Sequence, residues 1–168
     1  MSVLLAIAIT TGILSGIWGW VAVSFGLISW AGFLGCTSYF ASPNDGLKGL
    51  SISMLTNLSG VFWAMVIIEG SSFVSLDILG YVITALVAFF MCIQAKQAWL
   101  GYIPGTFIGS CATFAADANW QLVIPSLLVG GLFGYLMKAS GLYVHKWVTE
   151  SDVSVMSDAK EIKPKVTQ

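Results

Sequence analysis

Long apolar runs, interrupted only by short polar or glycine-rich breaks, constrain this sequence more than any other feature. Hydrophobic residues make up 57% of the 168 residues, charged residues make up only 9%, and the mean hydropathy is +0.88. A soluble domain carries about 25% charged residues, and a chain this short would leave much of its apolar surface in water. The sequence therefore predicts an all-α membrane protein whose outer surface faces lipid.

Six segments are long and apolar enough to cross a bilayer, which takes about 20 residues of helix. They cover residues 3–20, 24–41, 47–68, 74–95, 98–115 and 120–144. We therefore predict a six-span helical bundle over residues 1–148, with a polar, disordered cytoplasmic tail over residues 149–168. The break between the first two segments contains no charge, and the sequence leaves open whether the second and fifth segments span fully or re-enter.

The distribution of charge predicts the orientation of these spans. With a cytoplasmic N-terminus, the basic residues that fall inside are Lys48, Lys96, Lys138 and Lys146. The acidic residues that then fall outside are Glu69, Asp77 and Asp117. Cytoplasmic loops carry an excess of lysine and arginine, so we predict that both termini are cytoplasmic. Six of the seven tryptophans, Trp18 among them, lie near predicted span ends, where an indole prefers the interface.

An internal repeat is suggested by two similar strings in the second and fifth segments. Phe33, Gly35, Phe40 and Ala41 recur at a constant offset (107 − 33 = 74) as Phe107, Gly109, Phe114 and Ala115. Gly60 and Phe62 have matches at a different offset (131 − 60 = 71). Halves of three spans each, about residues 1–70 and 74–146, would be inverted in the membrane, and such repeats place binding sites near the midplane. Chance recurrence in an apolar sequence is the alternative.

Glycines spaced four residues apart occur in several segments. Gly12 and Gly16 form one such pair, and Gly101, Gly105 and Gly109 form a double one. This spacing lets helix backbones approach closely inside a membrane. A six-span bundle of 168 residues has little interior, so we expect a homo-oligomer that associates through glycine faces.

The sequence lacks the residue patterns of several functional classes. All seven basic residues are lysines and they form no stripe, so nucleic-acid binding is not expected. No paired carboxylates, histidine cluster, activated nucleophile or phosphate-binding glycine loop occurs, so we expect neither an enzyme nor a bound metal or cofactor. No ionisable residue is expected at mid-membrane depth, which disfavours a proton-driven pump.

Neutral polar residues remain as candidates within the spans, and Asn57 is the most polar of them. A buried amide needs a partner or water, which either a hydrogen bond between helices or a pore would supply. The candidate pore or substrate residues are Asn57, Thr37, Ser38, Tyr39, Ser110, Thr113 and Thr56. The candidate helix-breaking and packing residues are Gly35, Pro104, Gly105 and Gly109.

Three strings carry a resemblance to a known family: residues 9–20 (ITTGILSGIWGW), 30–37 (WAGFLGCT) and 104–109 (PGTFIG). With them, the chain resembles the YcdZ-like family of enterobacterial inner-membrane proteins over roughly residues 1–145. The resemblance implies a bacterial inner-membrane location and a compact multi-span bundle. It implies no substrate and no functional residues.

These features favour a channel or facilitator that lets a small neutral or weakly charged solute cross the inner membrane. Hydroxyl and amide groups would line the path, since the predicted interior holds no charge. The alternative is a membrane scaffold that anchors a partner protein and transports nothing.

Overall fold

The computed structural model describes residues 2–72 and 77–161, with side chains over 2–72 and 78–151, and the regular elements of this part of the chain are all helical. The α-helices are α1 (Val3–Ser24), α2 (Ser29–Phe40), α3 (Gly46–Ser72), α4 (Asp77–Ile93), α5 (Ile103–Ala115) and α6 (Trp120–Glu161). Two short 3₁₀ turns, Gln94–Lys96 and Ala98–Leu100, connect α4 to α5. The all-α prediction is confirmed for the residues described.

Four stretches of helix are long and apolar enough to cross a membrane. They are Val3–Ser24, Gly46–Ser72, Ile78–Lys96 and Trp120–Ser151. They correspond to the first, third, fourth and sixth predicted spans. Many of their large apolar side chains are exposed, as lipid-facing residues in a membrane protein would be.

The second and fifth predicted spans form much shorter helices than the sequence suggested. Helix α2 has 12 residues and α5 has 13, which gives each a length of about 18–20 Å against a hydrocarbon thickness of about 30 Å. Gly26, with a φ of +65°, turns the chain before α2. Pro104 lies in the first turn of α5, where its missing N–H costs no helical hydrogen bond. Pro104 therefore starts a helix, and continuous helices over 24–41 and 98–115 are wrong.

The end of α1 also differs from the prediction. The helix continues through Gly19 to Ser24, and Trp18 is fully buried, so its interfacial placement is wrong. Its indole Nε1 donates a hydrogen bond to the backbone oxygen of Ser29 at 3.0 Å. Its ring covers Gly32 and lies 5.5 Å from the ring of Phe133. Trp18 thus links the start of α2 to α1 and packs both against α6.

Helix α6 runs past the predicted span and through much of the predicted tail. It has 42 residues and ends at Glu161. The segment from Thr149 to Glu161 contains no proline or glycine to stop a helix. Lys146 and Glu150 form an ion pair one turn apart on its surface. The rest of the predicted tail, residues 162–168, lies outside the described residues.

The core lies where each short helix crosses a long one, α2 against α6 and α5 against α3. At one crossing, a Cβ atom on Gly35 or Gly130 would overlap the backbone of the opposite helix. At the other crossing the same holds for Gly60 and Gly109. Glycine is therefore required at all four positions for the helix backbones to touch.

Candidate functional site

A buried polar cluster, formed by Ser38, Ser53, Asn57 and Tyr102, lies where α2, α3 and the start of α5 meet. Ser53 Oγ donates a hydrogen bond to Ser38 Oγ at 2.8 Å. Ser38 Oγ donates in turn to Asn57 Oδ1 at 2.8 Å. The four residues are between 0% and 5% exposed. Since water does not reach these groups from outside, each needs a partner inside the protein.

Helix geometry places the polar cluster deep within the bundle. Asn57 is preceded by 11 residues of α3 and followed by 15, so it lies roughly 17 Å along the helix axis from Gly46. Half of a hydrocarbon core about 30 Å thick is close to that distance. The cluster therefore lies near the midpoint of α3, a helix long and apolar enough to cross a membrane.

Two groups of the polar cluster have no hydrogen-bond partner. They are the Asn57 side-chain nitrogen Nδ2 and the Tyr102 hydroxyl. The Tyr102 hydroxyl lies near Ser38 but makes no hydrogen bond of normal geometry with it. A buried polar group without a partner costs about 1–3 kcal/mol. Buried polar groups are nearly always paired, so two unpaired groups in one cluster single it out as the candidate site.

The position of Tyr102 depends on its neighbour Gly105. A Cβ atom on Gly105 would overlap Thr56 Oγ1 and would lie 2.6 Å from Cδ1 of the Tyr102 ring. Glycine at this position therefore lets the ring fold back over the first turn of α5 and against α3. The Thr56 hydroxyl is itself satisfied, because it donates to the Ile52 backbone oxygen at 2.8 Å.

A second polar network lies beside the cluster and is fully paired. Gln94 Oε1 accepts hydrogen bonds from Ser59 Oγ at 2.7 Å and from Trp63 Nε1 at 2.8 Å. Gln94 Nε2 donates to Thr106 Oγ1 at 3.0 Å. The network joins the end of α4 to α3 and α5. Because both ends of the amide are used, its role is to hold these helices together.

An apolar cluster occupies the other short-helix corner of the bundle. Its buried members are Val61, Ala112, Val123 and Leu127, each 3% exposed or less. The partly buried side chain of Ile28, just before α2, packs against them. The side chains of this apolar cluster are all hydrocarbon, and the buried Ser126 hydroxyl beside them accepts a hydrogen bond from the Ile28 backbone N–H at 2.9 Å. The polar cluster, by contrast, is packed by hydroxyl and amide groups.

One end of the bundle carries an ion pair between α6 and the loop before α3. Lys138 Nζ bonds to the Asp45 carboxylate and lies 5.9 Å from the ring centre of Tyr39. Tyr39 contacts the ring of Tyr135 edge-on. These side chains line a cavity of about 190 Å³ that opens beside α6. Charge is thus neutralised at the end of the bundle, away from the polar cluster.

The structure brings together some of the candidate residues and separates the others. Asn57, Ser38 and Thr56 lie at the polar cluster, while Gly35, Gly105 and Gly109 lie at helix contacts. Thr37 is exposed and bonds to its own helix, as does the buried Thr113. Tyr39 lies at the end of the bundle and Ser110 at the α3–α5 crossing.

Sequence reasoning missed Tyr102 and Gln94 as members of polar networks. Gln94 falls at the end of the fourth predicted span (74–95), and Tyr102 falls near the start of the fifth (98–115). The break around Gly101 and Pro104 was the available signal. Among the described residues, no group of three or more His, Cys, Asp and Glu side chains could hold a metal ion.

Comparison with known proteins places the chain among inner-membrane proteins. Residues 8–142 match the family described as protein of unknown function (DUF1097). The chain is 64% identical over 166 residues to "Inner membrane protein YcdZ" of Escherichia coli (strain K12), covering 98% of this chain and 99% of the relative. It is 65% identical over 145 residues to the protein of the same name from Salmonella typhimurium, with 86% and 91% covered.

A more distant relative is the "Uncharacterized protein YahC" of Escherichia coli (strain K12), 27% identical over 165 residues, with 90% of this chain and 99% of the relative covered. No solved structure matches the chain. The resemblance to YcdZ-like inner-membrane proteins is confirmed by the first two relatives.

Proposed function

This chain belongs to the DUF1097 family of membrane proteins, and we propose that it is an inner-membrane channel or facilitator for a small neutral or weakly charged solute. The observation that carries the proposal is the pair of unpartnered groups, Asn57 Nδ2 and the Tyr102 hydroxyl, inside a buried cluster. The cluster is uncharged and near mid-membrane depth. Solute-binding sites of many transporters lie at that depth.

We also propose that α1–α3 and α4–α6 form an inverted repeat of three helices, and the helix contacts support this. Gly35 contacts the Leu127 backbone oxygen, and Gly109 contacts that of Asn57. Gly109 follows Gly35 by the offset seen in the sequence (109 − 35 = 74), and Leu127 follows Asn57 by a second constant offset (127 − 57 = 70). The two short-helix crossings are therefore built from matching positions.

A second pair of contacts obeys the same two offsets. Gly60 contacts the Thr106 backbone oxygen, and Gly130 contacts that of Gly32. Gly130 follows Gly60 by the second offset (130 − 60 = 70), so these contacts favour Gly130 as its match over the Gly131 that the sequence suggested. Short helices at matching places in the two halves are the arrangement that marks binding sites in inverted-repeat transporters.

We expect flux through the purified protein in proteoliposomes, measured by stopped-flow light scattering with small neutral solutes such as urea, acetamide and glycerol. The folded protein should carry at least one of them faster than protein-free liposomes do. The variant Asn57→Leu should return the rate to the protein-free value, because it removes the amide. Thr84→Val, which alters an exposed hydroxyl bonded to its own helix, should leave the rate unchanged. If no solute enters faster with the folded protein than without it, that result would falsify the proposal.

The glycine face of α1 bears on the oligomeric state and on the alternative function, a membrane scaffold that anchors a partner protein. Gly12 and Gly16 on α1 face outward with nothing within 4 Å of an added Cβ atom. An open glycine face lets another helix approach closely. We propose that α1 of a second copy of the chain packs against this glycine face. We also propose that both termini are cytoplasmic.

Crosslinking in membranes should therefore give a homo-oligomer that Gly12→Ile and Gly16→Ile disperse, because the larger side chains hold the helices apart. Cysteines introduced near each terminus should react with membrane-impermeant thiol reagents from the cytoplasmic side only. A stoichiometric partner of different sequence on the same face would favour the scaffold instead.

A further inference from the structure

We propose that Asn57 and Tyr102 bind an uncharged solute through an oxygen atom that accepts hydrogen bonds, such as the carbonyl of a small amide or urea. The inference rests on the proposed function and names the chemical class of the solute. The donor that each residue offers is free, since Asn57 Nδ2 and the Tyr102 hydroxyl have no partner.

The hydrogen bonds within the polar cluster set this preference. Asn57 Oδ1 already accepts from Ser38, and Ser38 Oγ already accepts from Ser53. What remains free is therefore an amide N–H pair and a phenol O–H, both of which donate. A solute whose only polar group is a donor could bond only to the Tyr102 oxygen and would leave both donors unsatisfied, at the cost of a buried polar group.

The matching positions of the two halves indicate that the fold does not need polar groups here. At the offset of 74 residues that relates the short helices, Ser38 matches Ala112 and Tyr102 matches Ile28. At the offset of 70 residues that relates the long helices, Ser53 matches Val123 and Asn57 matches Leu127. These four counterparts are the residues that pack together in the apolar cluster. At these four positions one corner has hydrocarbon side chains, with the Ser126 hydroxyl beside them paired to the Ile28 N–H, whereas the other corner has hydroxyl and amide groups that are only partly paired. A polar group that packing does not require points to binding.

The absence of charge from the four cluster side chains excludes ions as the preferred solute. Moving an ion into a buried site without an opposite charge costs far more than moving a neutral molecule. Lys138 is bonded to Asp45 at the end of the bundle and so carries no free charge to the cluster. The site therefore suits a neutral acceptor better than a carboxylate or an ammonium ion.

The test compares solutes of similar size that differ in polar chemistry: acetamide, methylammonium and acetate, each measured as flux into proteoliposomes. Acetamide should be carried fastest. Tyr102→Phe, which removes only the hydroxyl, should slow acetamide about threefold to tenfold, the effect of one neutral hydrogen bond. The matched control Tyr135→Phe removes a phenol hydroxyl at the end of the bundle and should leave the rate unchanged.

The outcomes separate this inference from the proposed function. If acetamide flux is high but Tyr102→Phe and Asn57→Leu leave it unchanged in folded protein, the solute does not use these donors and the inference is wrong. Faster carriage of methylammonium or acetate would overturn it as well, while the facilitator would stand. If the folded protein carries none of the three solutes, nor urea or glycerol, both proposals fall. Folding of each variant is checked by thermal unfolding in detergent.

Discussion

Replacing Gly60, Gly109 or Gly130 by alanine is expected to destabilise the protein by about 3 kcal/mol or more. At each position the new Cβ atom would overlap a backbone oxygen of the facing helix, namely that of Thr106, Asn57 or Gly32. A backbone cannot rotate away as a side chain can, so the helices must separate and lose the core between them. Thermal unfolding in detergent, followed by size-exclusion chromatography, measures the loss of folded monomer.

Two other glycines provide the matched control for this prediction. Gly12→Ala and Gly16→Ala, compared in the detergent-dispersed monomer, add the same methyl group on a helix where no other part of the protomer lies within 4 Å. These variants should unfold at the temperature of the unaltered protein or slightly above it, since alanine favours a helix by about 1 kcal/mol over glycine. Equal stability of Gly130→Ala and Gly12→Ala would show that the short-helix crossings are not tightly packed.

Replacing the polar cluster by the apolar residues at its matching positions should raise the free energy of unfolding and abolish transport. The combined variant changes Ser38→Ala, Ser53→Val, Asn57→Leu and Tyr102→Ile, the residues found at the matching positions. It removes two unpartnered buried groups, and we expect a gain of about 2 kcal/mol in unfolding free energy. The same protein should transport solute no faster than empty liposomes.

The alternative reading of the polar cluster predicts the reverse. If Ser38 and Asn57 serve only to join α2 and α3, removing their hydrogen bonds lowers stability and leaves transport unchanged. Asn57→Leu and Tyr102→Phe, studied singly, keep this comparison available where the four changes together do not pack. A rise in thermal stability combined with lost flux is the result that distinguishes a binding cluster from a structural one.

The sequence predicted the long helices well because their cause is local. Uninterrupted apolar runs of about 20 residues predict α3 and the membrane part of α6 from composition alone. The second and fifth segments were predicted as candidate spans, with their full crossing left open, because the residues that shorten the helices, Gly26 and Pro104, lie within runs that remain apolar. Their effect depends on backbone geometry, such as the φ of +65° at Gly26, which hydropathy does not report.

The candidate site was predicted in part, for the same kind of reason. Asn57 stood out because an amide is costly at its depth, and the structure places it in the polar cluster. Tyr102 belongs to that cluster only because the first turn of α5 folds against α3, a contact between distant parts of the chain. Trp18 was assigned to the interface because α1 was ended too early. Long-range contacts of this kind follow from the fold and not from local sequence.

The apolar cluster of Val61, Ala112, Val123 and Leu127 has a consequence for how fast any solute could cross. These side chains are at most 3% exposed, so the corner opposite the polar cluster is dry and closely packed. An aqueous path through this corner would exist only while its helices move apart, so it would not be a permanently open pore. Transport by this protein would then saturate with solute concentration and accelerate steeply on warming, as carrier kinetics do.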